Sequence, residues 1–415
     1  MSGLFAGRTA VERVKFPREL WALVAAAFVI AVGYGLVAPV LPQFARSFDV
    51  SVSAAAAVIS VFALARLLFA PVSGTLVERF GERGTYITGI LLVAVSSAAC
   101  AFAQNYWQLL LYRGLGGIGS TMFTVSAMGL LIRLAPPAAR GRVTSAYSGA
   151  FLLGGIAGPV LGGMLAGFGL HLPFLVYAAA LVVAAAVVAV ALRPSAIKAP
   201  LGHAAAAAVM PLAEAFRLRT YRAALISAFA TGWSAFGVRM ALVPLFAVAV
   251  LHAGAGAAGA SLAVFAVGTA LALPLAGKFA DVWGRKPLVL SGLVINALAM
   301  AALGYSTTVL GFVVFSALAG VGSGLLSPAQ QASVADIIGS DRRGGKVLAA
   351  FQMSQDLGTI IGPVAAGAMV DALSYGPAFA VAAATGLLAA GFWIGAGETL
   401  RRDPRSPNWV ADKVV

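Results

Sequence analysis

The 415-residue chain is 61% hydrophobic and 10% charged, against about 45–50% and about 25% in soluble domains, which excludes a water-soluble fold. Its formal net charge of +14 does not indicate nucleic acid, because the Lys and Arg stand between apolar segments rather than on one polar surface. The single cysteine, Cys100, excludes an intramolecular disulfide and a cysteine-type zinc site, and His171, His203 and His252 are isolated from one another.

An apolar stretch of about 20 residues crosses a bilayer as a helix, since lipid offers no partner to a bare backbone amide. The chain opens with Arg8, Arg13, Lys15 and Arg18 ahead of an uncharged run from Leu20 to Phe44. That run is too long for the core of a cleaved signal and reads as a retained first span. In chain order, twelve spans are predicted at 20–44, 53–77, 85–103, 107–132, 143–168, 171–193, 221–250, 256–280, 287–304, 307–335, 345–371 and 375–397. The expected fold is therefore all-α and polytopic, with two six-helix bundles at 1–193 and 221–397. Between them, 194–220 reads as a cytoplasmic linker marked by Pro194, Pro200 and Pro211, with a mildly amphipathic stretch at Glu214 to Arg219. Residues 398–415 read as a cytoplasmic tail.

An even number of spans places both chain ends on one side. Of the 28 Lys and Arg, 24 fall at the chain ends and in the even-to-odd connections on that side, while the opposite loops hold only Arg46. The positive-inside rule makes that side cytoplasmic, in a cell (inner or plasma) membrane.

The halves repeat. Gly74-Thr-Leu76-Val-Glu78-Arg79-Phe-Gly81-Glu82-Arg83 recurs as Gly277-Lys-Phe279-Ala-Asp281-Val-Trp-Gly284-Arg285-Lys286 after 203 residues, and Gly117 and Gly119 recur as Gly320 and Gly322. Gly154-x-x-x-Gly158-Pro159 recurs as Gly358-x-x-x-Gly362-Pro363 after 204. On these residues the whole chain resembles the major facilitator superfamily. The resemblance implies two bundles around a central cavity that rock between inward-open and outward-open states. A carboxylate at a helix end can meet a neighbouring helix N-terminus or an Arg in one state and release it in the other. Glu78 and Asp281 are thus candidate members of a cytoplasmic latch, with Gly74, Arg79, Gly81, Arg83, Gly277, Gly284, Arg285 and Lys286. Alternatively these charges only solvate short turns. Glu78 is one methylene longer than the aspartate usual in the family.

Gly154, Gly155, Gly158, Pro159, Gly162 and Gly163 match a pattern of the family's proton-coupled exporters. Small residues four apart let helices approach closely, and Pro159 removes a backbone donor and bends its helix.

Four charges fall near the middle of predicted spans, close to the bilayer centre: Arg66, Arg113, Arg239 and Asp356. Such groups cost ~2.5–3.5 kcal/mol each on insertion scales and are functional candidates by default. Arg113 occupies the Arg-x-x-x-Gly-x-Gly position with Gly117 and Gly119, where the resemblance implies a part in proton coupling; it could also tie its helix to carbonyls near Gly33 to Gly35. Asp356 is the candidate proton or cation carrier, or else a mouth residue that stabilises a helix end. Many drug exporters of the family have an acid in the first span, but Phe28 to Gln43 contains none. Gly35, Pro39, Pro42, Gly237 and Pro244 suggest bent helices beside the cavity, which Tyr34, Trp233 and Phe236 could line.

Gly114-Leu-Gly116-Gly117-Ile-Gly119 fits a dinucleotide fingerprint but lacks the preceding strand that reading requires. No nucleotide-binding Gly-x-x-x-x-Gly-Lys-Ser/Thr is present, and no nucleophile–base or metal constellation stands out. The expected function is proton-coupled efflux of small amphipathic compounds of multidrug type by alternating access, as a secondary antiporter conferring drug resistance rather than an enzyme. The alternative is specific import or export of a metabolite such as a sugar or organic anion. The expected partners are a small-molecule substrate, protons and the lipid bilayer, with no cofactor, no metal, no nucleic acid and a monomeric working unit.

Overall fold

The computed structural model describes residues 17–134, 140–192, 208–339 and 342–400. The expectations placed on Arg8, Arg13, Lys15, Pro194, Pro200, His203 and the tail beyond 400 lie outside these residues, as does the side chain of Asp281.

The first half contains α1 (Arg18–Val37), the short α2 (Leu41–Arg46), α3 (Val52–Ala101), α4 (Tyr106–Leu134), α5 (Arg140–Leu165) and α6 (Leu172–Ala191). The second contains α7 (Leu212–Arg217), α8 (Arg219–Thr231), a π-helical stretch Gly232–Val238, α9 (Arg239–Ala249), α10 (Ala255–Val282), α11 (Arg285–Gly304), α12 (Val309–Ile338), α13 (Gly345–Ala372) and α14 (Tyr375–Ile394). The 50-residue α3 is two helices joined at Gly81, where φ 75° and ψ 160° leave the helical region. Gly284, the same point of the repeat, has φ 109° and ψ 169° ahead of α11. A side chain at either position would strain the turn, which explains why the repeat keeps glycine there.

Among the described residues ten helices are long and apolar enough to cross a membrane. The polytopic all-α fold stands, while the number differs from the twelve predicted. Two of the predicted spans form one continuous element, α3, and α13 is not among the ten because Gln352, Gln355 and Asp356 dilute its apolar run. Large apolar side chains such as Leu68, Trp107, Val190 and Leu310 point outward, as expected of surfaces wetted by lipid rather than water.

Within each half α5 packs on α1 and α13 on α8 and the π-helical stretch, while α4 packs on α3 and α12 on α11. The halves meet along two related seams, α13 against α3 and α5 against α10. The helix ends that carry Glu82 with Arg133, Arg83 with Ala189, Arg285 with Asp336 and Glu398, Gly397 with Thr220, and Arg342 with Glu214 are here termed the basic face; the opposite one is the far face. On the basic face Ala208–Val209 (β1) pairs in parallel with Arg342–Arg343 (β2). Arg342 Nη1 lies 2.7 Å from Glu214 Oε1, and Met210 and Ala215 are buried in the core of the second half. The described end of the connection between halves is thus fastened to the second half.

Candidate transport cavity and its two faces

At the far face the halves touch. A Cβ on Gly163 would sit 3.0 Å from the Ala255 carbonyl oxygen and 3.2 Å from Gly256 Cα, and one on Gly259 would overlap the Pro159 carbonyl oxygen. At the other seam a Cβ on Gly367 would lie 2.6 Å from Ser53 Cα. The glycine-proline pattern of α5 therefore splits its faces. Gly154, Gly158 and Gly162 fit against Ala31, Gly35 and Leu36 of α1 inside the first half, whereas Gly163 faces α10 of the second. Gly155 meets nothing within 4 Å. In the repeat, Gly358 and Gly362 fit against Trp233. With no Cβ in the way, backbone meets backbone and dispersion contact is maximal, which is how membrane helices associate without a hydrophobic drive between them.

On the basic face the halves part. Gly74, Gly81 and Gly277 have no neighbour within 4 Å of an added Cβ, and Glu78, Arg79 and Phe80 are exposed. The structure thus holds the expected latch residues of α3 away from the opposite half, with Arg79 over Phe80 instead.

The remaining residues of the repeat build a clamp within each half. Glu82 pairs with Arg133 at the end of α4 at 2.6 Å, and Arg285 with Asp336 at the end of α12 at 3.1 Å. Both partners are related by the 203-residue offset, with the charges exchanged. Arg83 Nη2 donates to the Ala189 carbonyl oxygen at 2.8 Å, and Lys286 Nζ donates to the Ile394 and Ala396 carbonyl oxygens, also at 2.8 Å. In the second half Glu398 completes the clamp. Its carboxylate accepts from the backbone N–H groups of Arg285, Lys286, Thr399 and Leu400 at 2.9–3.0 Å. Partial burial pushes the Glu398 carboxyl up, but these four donors outweigh it and hold the group below the ordinary carboxylate value. Asp336 and Glu398 escaped the sequence reading, and Glu82 was read only as part of the repeat, although Glu82 and Asp336 are visible as a charge exchange once the repeat is aligned.

Of the four charges within spans, two act on each other across the halves and two are buried apart. Half-buried Asp356 of α13 accepts from Gln352 Nε2 at 3.3 Å, and the cation acting on it electrostatically is Arg66, exposed on α3 of the other half. Gln352 and Gln355 also join Gln331 in lining a cavity of about 700 Å³ between α12 and α13. Arg113 is 5% exposed, with its guanidinium 4.5 Å over the Phe62 ring. Among the described residues it makes no hydrogen bond to the carbonyls near Gly33 to Gly35; the Cα of Gly33 faces the Tyr177 ring and that of Gly35 faces Gly158 and Pro159 of α5. Arg113 lines a cavity of about 20 Å³ with Tyr34, Tyr177 and, from the second half, Met240. Arg239 is 1% exposed, lies 4.0 Å over Phe265 and donates to Met300 Sδ at 3.1 Å. Its Nε and Nη1 have no partner. Immediately before it, the wide π-helical turn Gly232–Val238 resets the helix register, a distortion frequent at functional positions. Trp233 is half-buried beside Phe229 at 5.9 Å, Tyr34 stands 6.1 Å from Phe62, and Phe236 is exposed. No group of three or more His, Cys, Asp or Glu able to hold a metal occurs among the described residues.

Two pseudo-symmetric halves, closed at one face and parted at the other, repeat the loop and glycine patterns at matching places. Residues 23–262 and 224–412 match the pattern of the Major Facilitator Superfamily. The chain belongs to the major facilitator superfamily. Among its relatives, multidrug resistance protein 2 of Bacillus subtilis is 30% identical over 163 residues, 39% of this chain and 40% of that protein. The quinolone resistance protein NorA of Staphylococcus aureus is 29% identical over 157 residues, 38% of this chain and 40% of that protein. The matched region thus spans about two fifths of each curated relative. In fold, this superfamily member is similar to a bacterial homologue of the human lysosomal transporter Spinster in its inward-facing, occupied form. The TM-score is 0.74 at 18% identity, over 90% of this chain and 95% of that one. The unoccupied inward-facing form gives 0.73 at 19% identity. The family is one of multi-pass membrane transporters of small molecules, a non-enzyme class.

Proposed function

We propose that this transporter exports small amphipathic compounds in exchange for protons, acting as a monomer by alternating access. In this reading the twelve spans are the ten apolar helices with α3 divided at Gly81 and α13 included, and the basic face is cytoplasmic. The observation that carries it is the electrostatic attraction that Arg66 of α3 exerts on Asp356 of α13, across the halves. A proton on Asp356 would remove its attraction to Arg66, so protonation would change the free energy of approach of the two halves. Relatives named for multidrug and quinolone resistance support efflux. Arg113 and Met240, one from each half, flank the same small cavity, which favours a role for Arg113 at the pivot between states.

The test is transport in proteoliposomes under an imposed pH gradient, with cationic, neutral and anionic compounds screened. Gradient-driven movement of several amphipathic compounds is expected, and Asp356→Asn is expected to abolish the dependence on the gradient. Movement indifferent to the gradient would reject antiport. One observation favours a second reading, transport of a specific metabolite: the amide wall of Gln331, Gln352 and Gln355 suits a hydroxyl-rich solute, and transport of one such solute alone would favour it.

A further inference from the structure

Asp371, at the far-face end of α13, reaches across to the other half. Its Oδ1 accepts from the Val52 N–H at 2.8 Å and its Oδ2 from the Ser53 N–H at 2.9 Å. These are the first two amides of α3, two of the donors a helix start cannot satisfy internally. The third, Ala54 N–H, is met by the helix's own cap, Ser51 Oγ, at 3.2 Å. A carboxylate at a helix N-terminus is favoured both by charge-assisted hydrogen bonds and by the helix dipole. The backbone contact of Gly367 with Ser53 one turn earlier sets the register that brings the carboxylate onto these amides.

The related seam has no such device. The repeat places Gly167 where Asp371 stands, with nothing within 4 Å, and α10, starting at Ala255, has Gly254 as its N-cap and no side-chain cap. The first seam is thus held by a charge, and the second by bare glycine backbone.

We infer that Asp371 is a far-face latch that holds the two halves together in the state seen here and must let go when that face opens. Both hydrogen bonds cross between halves, so they exist in one state only, and opening hands two helix amides and a carboxylate back to water. The inference rests on the alternating-access part of the proposed function.

The experiment uses the full chain in liposomes, with spin labels on cysteines at Gln104 and Thr307. These are exposed far-face positions of the two halves, 203 residues apart, in a background where the buried native cysteine is removed by Cys100→Ala. Asp371→Asn keeps one acceptor and loses the charge. Val52→Pro removes one of the accepted N–H groups without touching Asp371. Proline is tolerated at the first residue of a helix, and the preceding Ser51, at φ −64° and ψ 167°, already has the backbone a following proline requires. Each variant should raise the ratio of long to short distances about tenfold, and the double variant little more than either. An unchanged distance distribution in both variants, with two distances still present in the parent, would overturn the latch and leave alternating access standing. A single distance in the parent under every gradient and solute would overturn both.

Discussion

The glycine seam between α5 and α10 can be tested by one methyl group. Alanine at 259 would place its Cβ against the Pro159 carbonyl oxygen and 3.1 Å from Gly163 Cα, where carbon atoms prefer about 3.5–4.0 Å. Both obstacles are backbone of the opposite half, so the strain is relieved only if the helices separate by roughly 0.5–1 Å, which forfeits a quarter to a half of the dispersion attraction along the contact. Overpacking of this kind costs ~1–3 kcal/mol. The helix-propensity gain of about 1 kcal/mol from replacing glycine applies in every state and cancels from the ratio between them. Gly259→Ala should therefore shift the balance toward the far-face-open state by roughly 5- to 150-fold, with little loss of thermal stability. Gly154→Ala is the matched control, because its Cβ would lie 2.6 Å from Ala31 Cβ, within one half and hence in both states. It should lower the melting temperature and leave the ratio alone. Spin-label distances across the far face and thermal unfolding in detergent separate the two. The reasoning fails if both variants lose stability alike and neither moves the distance distribution.

The clamps predict that Glu82→Arg and Arg133→Glu each lower thermal stability by about 1–3 kcal/mol, as expected for a part-buried charge losing its partner, and that the double exchange recovers most of it. Arg239→Met should raise thermal stability, since it replaces a buried cation whose Nε and Nη1 lack hydrogen-bond partners with an apolar chain of similar length, and should lower transport. For Glu398 the folded-state value is depressed, so its contribution is present above the unfolded value of about 4.3 and is lost as pH falls through the folded value. Acid below about pH 4 should loosen residues 398–400 from α11 in hydrogen exchange, and Glu398→Gln should flatten that dependence.

Spans and repeat were legible because lipid imposes long apolar runs and because duplication leaves Gly81 and Gly284, or Gly158 and Gly362, at one spacing. What each glycine touches was not legible: the same α5 pattern could not say that Gly158 serves its own half while Gly163 serves the other, since that depends on how the helix is rotated. The charges in spans stood out as costly, but their partners did not, because Arg66 acts on Asp356 from the other half and the ring over Arg239 comes from α10. Asp371 and Glu398 were passed over for a simpler reason. Each sits at the edge of a predicted span, where an acid is ordinary, and only the helix start facing it gives it a task.

The exchanged charges of the two clamps also bear on how the chain assembles. Two similar sets of helices in one chain can pair the wrong partners, α3 and α11 each having a choice between α4 and α12. A crossed arrangement would set Glu82 against Asp336, and Arg285 against Arg133, like charge on like in both places. The correct arrangement satisfies all four side chains. Reversing the polarity of one copy thus favours the observed pairing of helices within each half over the crossed one, which would set like charges together.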